Sequence, residues 1–242
     1  IDRQLASSTI ASRAEDRAII AEDYPLLPVR RRFWEHALRA ADVPGTTAQL
    51  RTQLRIVHDA VRETADKPLG TVVPADYIFE QLQPDLLRTG ILLREIDESI
   101  RKFDDGSADG KLKRRLFGLI FLIRKLPRTQ GVDIGVRATA EMLADLLVSD
   151  LGSDGATFRR DVPRVLQKLV DDGKLIKLDE EYSLQTRDSS EWEREFRNRQ
   201  ARLNGDATAI SGKRASLFAA ALDKSVGGIK LLHGKSKEPR KL

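Results

Sequence analysis

The 242-residue chain contains no cysteine. Disulfides, thiolate metal sites and cysteine nucleophiles are thereby excluded, and a reducing compartment is compatible, with the cytoplasm as the expected location. Histidine is scarce too. His36, His58 and His233 are the only three, too scattered for a metal triad, and no H-E-x-x-H motif accompanies them. A G-x-S-x-G nucleophile motif is also missing. No segment reaches the roughly 18 unbroken apolar residues that a membrane span requires. The longest run, Leu116–Ile123, lies between KRR and RK and is expected to be a buried core helix. At its start the chain has neither a methionine nor the apolar region of a signal peptide, which suggests a piece of something longer.

What is present is charge, unevenly placed. The net charge of +5 resides in the tail: Ser211–Leu242 holds eight Lys or Arg against two acids, and the remaining 210 residues hold 34 against 35. A nucleic-acid partner is therefore suggested by the tail, and elsewhere must be argued patch by patch.

Helical periodicity punctuated by proline and glycine dominates, and β-branched alternation is rare, so a mainly α fold is expected. Pro28 sits in the first turn of a helix reaching about Ala41. VPGTT breaks the chain, and Thr46 or Thr47 caps a helix to about Ala65 with Leu50, Leu54, Val57 and Val61 as its core stripe. Helices over Ala75–Leu82 and Asp85–Phe103 follow. The acidic, glycine-rich DDGSADG, 104–110, is the best internal boundary.

Beyond it the pattern predicts helices from Lys111 to Leu126 and Thr139 to Val148, a short one over Ala156–Asp161, and another from Val162 to Asp172 with Pro163 in its first turn. Leu175–Leu178 and Tyr182–Gln185 alternate around an acidic turn as a hairpin. Helix, short helix, helix, hairpin is the order of a winged helix, closed by a charged helix over Ser189–Leu203. The expected division is thus a lead-in (1–22), a helical lid-like bundle (23–104), a winged-helix domain (111–204) and a basic, weakly structured C-terminal segment (205–242).

Two segments imitate a phosphate-binding loop, GSADGKL at Gly106 and GGIKLLHGKSK, but neither has the glycine spacing that converges backbone N–H groups on phosphates. Candidate sites are cationic instead. Arg51, Arg55, His58 and Arg62 recur at i, i+4, i+7 and i+11. They form either a solvated face paired with Asp59 or Glu63, or a stripe from which an arginine reaches a nucleotide phosphate held by a neighbouring domain. Arg160, Arg164 and Lys168, with Arg159 and Lys174 nearby, could meet DNA, although Asp161, Asp171, Asp172 and the acidic turn at Asp179–Glu181 oppose phosphate. Protein contact and a plain scaffold stay open. The tail adds Lys235, Lys237, Arg240 and Lys241.

YPLLPVRRRFW, GTTAQLRTQLRIVHDA, LLREIDESIRKFDDG, KRRLFGLIFLIRKLP and DIGVRATAEMLADLLV together resemble the segment that follows the nucleotide-binding core in the large P-loop ATPases of phage-exclusion systems, the BrxC or PglY type. The likeness runs from about Ala21 onward. It implies the helical lid of an AAA-type ATPase followed by a winged helix, in an antiviral BREX-like system whose other defence proteins, and double-stranded DNA, are the expected partners. Pro25 and Pro28 would set a rigid lead into the lid and Phe33 and Trp34 would pack it. Arg30, Arg31 and Arg32 would face the nucleotide domain or a neighbouring subunit, with Trp34 counted among the interface candidates. Arg51 or Arg55 would stand where the lid arginine senses the γ-phosphate. The loop and carboxylate that bind ATP and Mg in the parent protein are missing, so this chain needs no cofactor of its own and is not expected to hydrolyse ATP. A free-standing winged-helix DNA binder and a helical protein-interaction module are the alternatives.

Overall fold

The computed structural model describes residues 5–41, 49–204, 207–226, 231–236 and 238–240. The chain is mainly helical and groups into two compact units, Ile1–Thr186 and Arg187–Leu242.

In the first unit the helices are α1 (Asp16–Asp23), α2 (Pro28–Ala40), α3 (Gln49–Thr64), α4 (Tyr77–Arg88), α5 (Arg94–Lys102), α6 (Ala108–Lys125), α7 (Ala140–Leu147) and α8 (Asp154–Asp171). The hairpin β1 (Leu175–Leu178) and β2 (Glu181–Leu184) follows, in a register that pairs Leu175 with Leu184 and Leu178 with Glu181. Helix α6 is the hub. Ser107 caps it by accepting from the Gly110 N–H at 2.9 Å, and every residue from Leu116 to Ile123 is buried. It packs against α2, α4 and α5 as well as α7, α8 and β2. Helix α4 can approach this closely because Gly118 has no Cβ; one built there would lie 2.5 Å from the Phe79 ring.

The segment 104–110 therefore lies inside a single packed unit, and residues 71–75 explain how. Val72 N–H donates to Ser149 O at 2.8 Å, Val73 N–H to Pro25 O at 3.0 Å and Ala75 N–H to Leu146 O at 2.9 Å. This strand-like strut ties the start of α2 to the end of α7. Beside it, Arg115 forms a bidentate pair with Asp76 at 2.8 and 2.9 Å and donates to Leu147 O at 2.6 Å.

Several expectations need correction. Helix α4 runs through Pro84, and the break comes at Gly90, whose φ of +74° suits glycine. The expected short helix and its successor are one helix, α8, with Pro163 inside it. Pro163 is exposed, while Val162, Val165, Leu166 and Leu169 continue a buried stripe that outweighs the lost backbone bond. A Schellman ending terminates α8: Gly173, at φ +63°, donates to Val170 O and Lys174 N–H to Leu169 O. Helix α1 was not foreseen.

The core stripe expected on α3 is on the outside. Leu54, Val57 and Val61 are 62%, 38% and 41% exposed, whereas Ile56 and Ala60 are buried. The side chain of Leu50 and the expected caps Thr46 and Thr47 lie outside the described residues.

The second unit contains α9 (Arg187–Asn204), α10 (Ala207–Val226) and two short antiparallel strands, β3 (Leu231–His233) and β4 (Glu238–Arg240). Residues 207–226 are thus helical where a weakly structured segment was expected, in keeping with the helix-forming run ASLFAAALDK. Trp192, Phe196, Leu217, Phe218 and Leu222 are exposed.

Candidate functional site

Three adjacent arginines on a helix point about 100° apart, so α2 sends Arg30, Arg31 and Arg32 in three directions. Arg30 is fully buried; its Nη1 donates to Val73 O at 2.6 Å and its Nη2 to Asp145 O at 3.4 Å. It clamps the strut to α7, so the expectation that it faces another domain or subunit is corrected. Arg32 is nearly buried and grips Asp16 with both Nη atoms, at 2.9 and 2.7 Å, while donating to Ile10 O and Ala11 O. The Arg32 guanidinium, helped by the Arg13 N–H, holds the Asp16 carboxyl at about 2, against burial that raises it. Arg31 is the outermost of the three and pairs with Asp23 and Glu35. Trp34 is buried, stacks on Tyr77 with centroids 5.9 Å apart and donates its Nε1–H to Ala75 O. Its burial likewise removes it from the interface candidates.

Helix α3 does the opposite with its cations. Ile56 and Ala60 turn inward, and the C-terminal end is held where Tyr77 Oη donates to Glu63 at 3.0 Å. Arg51, Arg55, His58 and Arg62 are all exposed. Their spacing places them on one side of the helix, next to the exposed Leu54, Val57 and Val61. Asp59 is the only carboxylate paired with them among the described residues, 3.8 Å from Arg55 and 3.3 Å from His58 Nδ1. Arg51 and Arg62 have no carboxylate within 4.0 Å among the described residues.

The α8 cations are mostly answered within the chain. Arg159 lies 3.7 Å from Asp145, Arg160 pairs with Asp161 at 3.0 Å, and Arg164 forms a bidentate pair with Asp109 at 2.6 and 2.9 Å. The arginines hold Asp109 and Asp161 below the ordinary carboxylate range. Lys168 and Lys174 have no carboxylate partner among the described residues. At the hairpin, Lys177 pairs with Glu180, while Glu181 takes Arg128 and Arg137. In the tail, Lys235 is exposed; Lys237, Lys241 and the side chain of Arg240 lie outside the described residues.

Of the cations singled out in the sequence, the described ones on α3 gather on one outward side, whereas those of α2 fan apart and the α8 arginines are paired with carboxylates. No protein-family model, curated protein or solved structure matches the chain. The site has to be judged on its own chemistry. Among the described residues there is no cluster of three or more His, Asp or Glu able to hold a metal, and no helix long and apolar enough to cross a membrane.

Sequence reasoning missed a second feature. An open cavity of about 550 Å³ lies where the ends of α2 and α6 meet the loop 127–134, lined by His36, Arg39 and Lys125 among others. Nearly ninety residues separate its cations, so no local motif announces it.

Proposed function

We propose that the chain is the non-catalytic lid and winged-helix portion of a phage-defence P-loop ATPase of the BrxC or PglY type, coupling the state of a nucleotide held by the ATPase core to assembly of the defence complex. The observation that carries this reading is the solvent-facing, carboxylate-poor stripe Arg51, Arg55, His58 and Arg62 on α3. A guanidinium with few carboxylates around it keeps its fork of donors for phosphate oxygens, and Arg51 or Arg55 is the γ-phosphate sensor.

Helices α6, α7 and α8 with the β1–β2 hairpin are the winged helix of this reading. The α8 arginines are occupied by Asp161, Asp109 and Asp145, and the hairpin turn carries Asp179 and Glu180. Phosphate approaching that face would have to displace carboxylates already in contact. The winged helix accordingly works through protein contact, and any DNA engagement falls to the basic C-terminal residues.

The test is ATP turnover by the intact ATPase carrying Arg51→Ala or Arg55→Ala. Loss of one charge-stabilising donor should lower turnover by roughly tenfold or more. Unchanged turnover in both variants removes the sensor assignment.

A further inference from the structure

The loop 127–134 is held against the N-terminal segment, where Thr9 N–H donates to Ile134 O at 2.9 Å. Together they leave the cavity of about 550 Å³ between the last turns of α2 and α6, a size in the range of small-molecule sites. One side is basic: His36 and Arg39 project from α2, and Lys125 from α6. Apolar lining comes from Ala40 on α2 and from Val132 and Ile134 on the loop.

The basic side is uncommitted among the described residues. Among the described residues Arg39 and Lys125 have no carboxylate within 4.0 Å, and Lys125 lies over the Phe121 ring at 5.3 Å. His36 is half-buried, and its ring makes no hydrogen bond to any described residue. One carboxylate, Asp133, also lines the cavity. It is taken by both Nη atoms of Arg137, at 2.9 and 2.6 Å, and by the Gly135 N–H at 2.7 Å. Helices α2 and α6 both end here, and each terminus contributes about half a negative charge. Two full cations exceed that, leaving a positive cavity with an apolar wall.

The geometry points to a binding site for a small phosphate monoester with an apolar body, its phosphate held by Arg39, Lys125 and His36 and its body laid on Val132 and Ile134. Guanidinium, ammonium and imidazole N–H groups together can satisfy several phosphate oxygens, which a singly charged carboxylate would not require. Burial and the Arg39 charge hold the free His36 below its ordinary titration range, opposed by Glu35 on the same helix. A bound dianion reverses that balance, and the imidazole becomes its reporter. Lys125 from α6 and the Arg137-bound Asp133 from the loop are the other charged groups lining the cavity. The site is separate from α3 and does not depend on the ATPase reading.

The experiment is NMR titration of the full 242-residue chain with phenyl phosphate and, separately, inorganic phosphate, following histidine ring signals assigned with His36→Gln. Phenyl phosphate should bind with Kd of about 1 mM or tighter and raise the His36 pKa by about one unit, with His58 and His233 unmoved. Arg39→Gln and Lys125→Gln, both at exposed positions, should each weaken binding roughly tenfold. Val132→Asp, on the exposed part of the loop, should weaken phenyl phosphate more than inorganic phosphate. An unmoved His36, a shift at His58 instead, unchanged binding by the two cation variants, or equal affinity for both phosphates would overturn the assignment, the last leaving an adventitious ion only.

Discussion

Arginines occur on α2 and on α3 in similar number and to opposite effect. Adjacent in sequence, Arg30, Arg31 and Arg32 fan around the helix and are absorbed by the strut, by Asp23 and Glu35, and by Asp16. Spaced at helical repeats, Arg51, Arg55 and Arg62 collect on one side and stay in solvent. A dense cluster of like charge in the sequence is therefore a poor sign of a charged surface. Period decides whether cations accumulate on one face, and burial decides whether they remain available.

Substitutions break this contrast in graded steps. Arg30→Ala should cost on the order of 3–5 kcal/mol in denaturant unfolding, because it empties a buried position and strands the carbonyls of Val73 and Asp145. Arg30→Lys should rescue little, since one ammonium does not replace a guanidinium spanning two acceptors. Arg32→Ala should cost about 2 kcal/mol. Asp16, its partner, titrates at about 2 when folded against 3.8 ordinarily. Its charge thus stabilises the fold above about pH 4, and that contribution fades as pH falls through 2. The wild type should show this acid-side loss and Arg32→Ala should show much less of it, as read from urea midpoints between pH 5 and 2.

Arg31→Ala, acting on exposed pairs, should cost less than about 1 kcal/mol. Arg51→Ala and Arg62→Ala should stay within about 0.5 kcal/mol of the parent, even if Arg51 rather than Arg55 proves to be the residue that controls ATP turnover. Destabilisation by either beyond 1.5 kcal/mol would mean that the α3 stripe is structural after all. On α3 itself, Ile56→Ala should cost about 2–5 kcal/mol and Leu54→Ala under about 0.5 kcal/mol. The reverse order would restore the core stripe read from sequence.

That inversion shows what the sequence could and could not disclose. Helix α6 was legible because its apolar run is flanked by charges, and β1–β2 because alternation and an acidic turn coincide. On α3 periodicity picked out Leu50, Leu54, Val57 and Val61 and passed over Ile56 and Ala60. The packed direction is Ile56 with Ala60, and which apolar face meets the rest of the fold is set by tertiary contacts that periodicity alone does not contain. Proline misled twice, at Pro84 and Pro163, because a helix tolerates it wherever tertiary packing holds the turns on either side. The α3 cationic stripe is a local pattern and could be found in the sequence. The cavity between α2 and α6 is assembled from distant segments and could not.

The strut at 71–75 also has a consequence for the order in which the chain can mature. Arg30 finds one of its acceptors 115 residues downstream, at Asp145, and Ala75 waits for Leu146. During synthesis, α2 must leave the ribosome with a cation whose burial site is incomplete until α7 emerges. The first half of the unit is thus committed late, and a nascent chain stopped before Asp145 would expose the apolar side of α2 to whatever chaperone meets it.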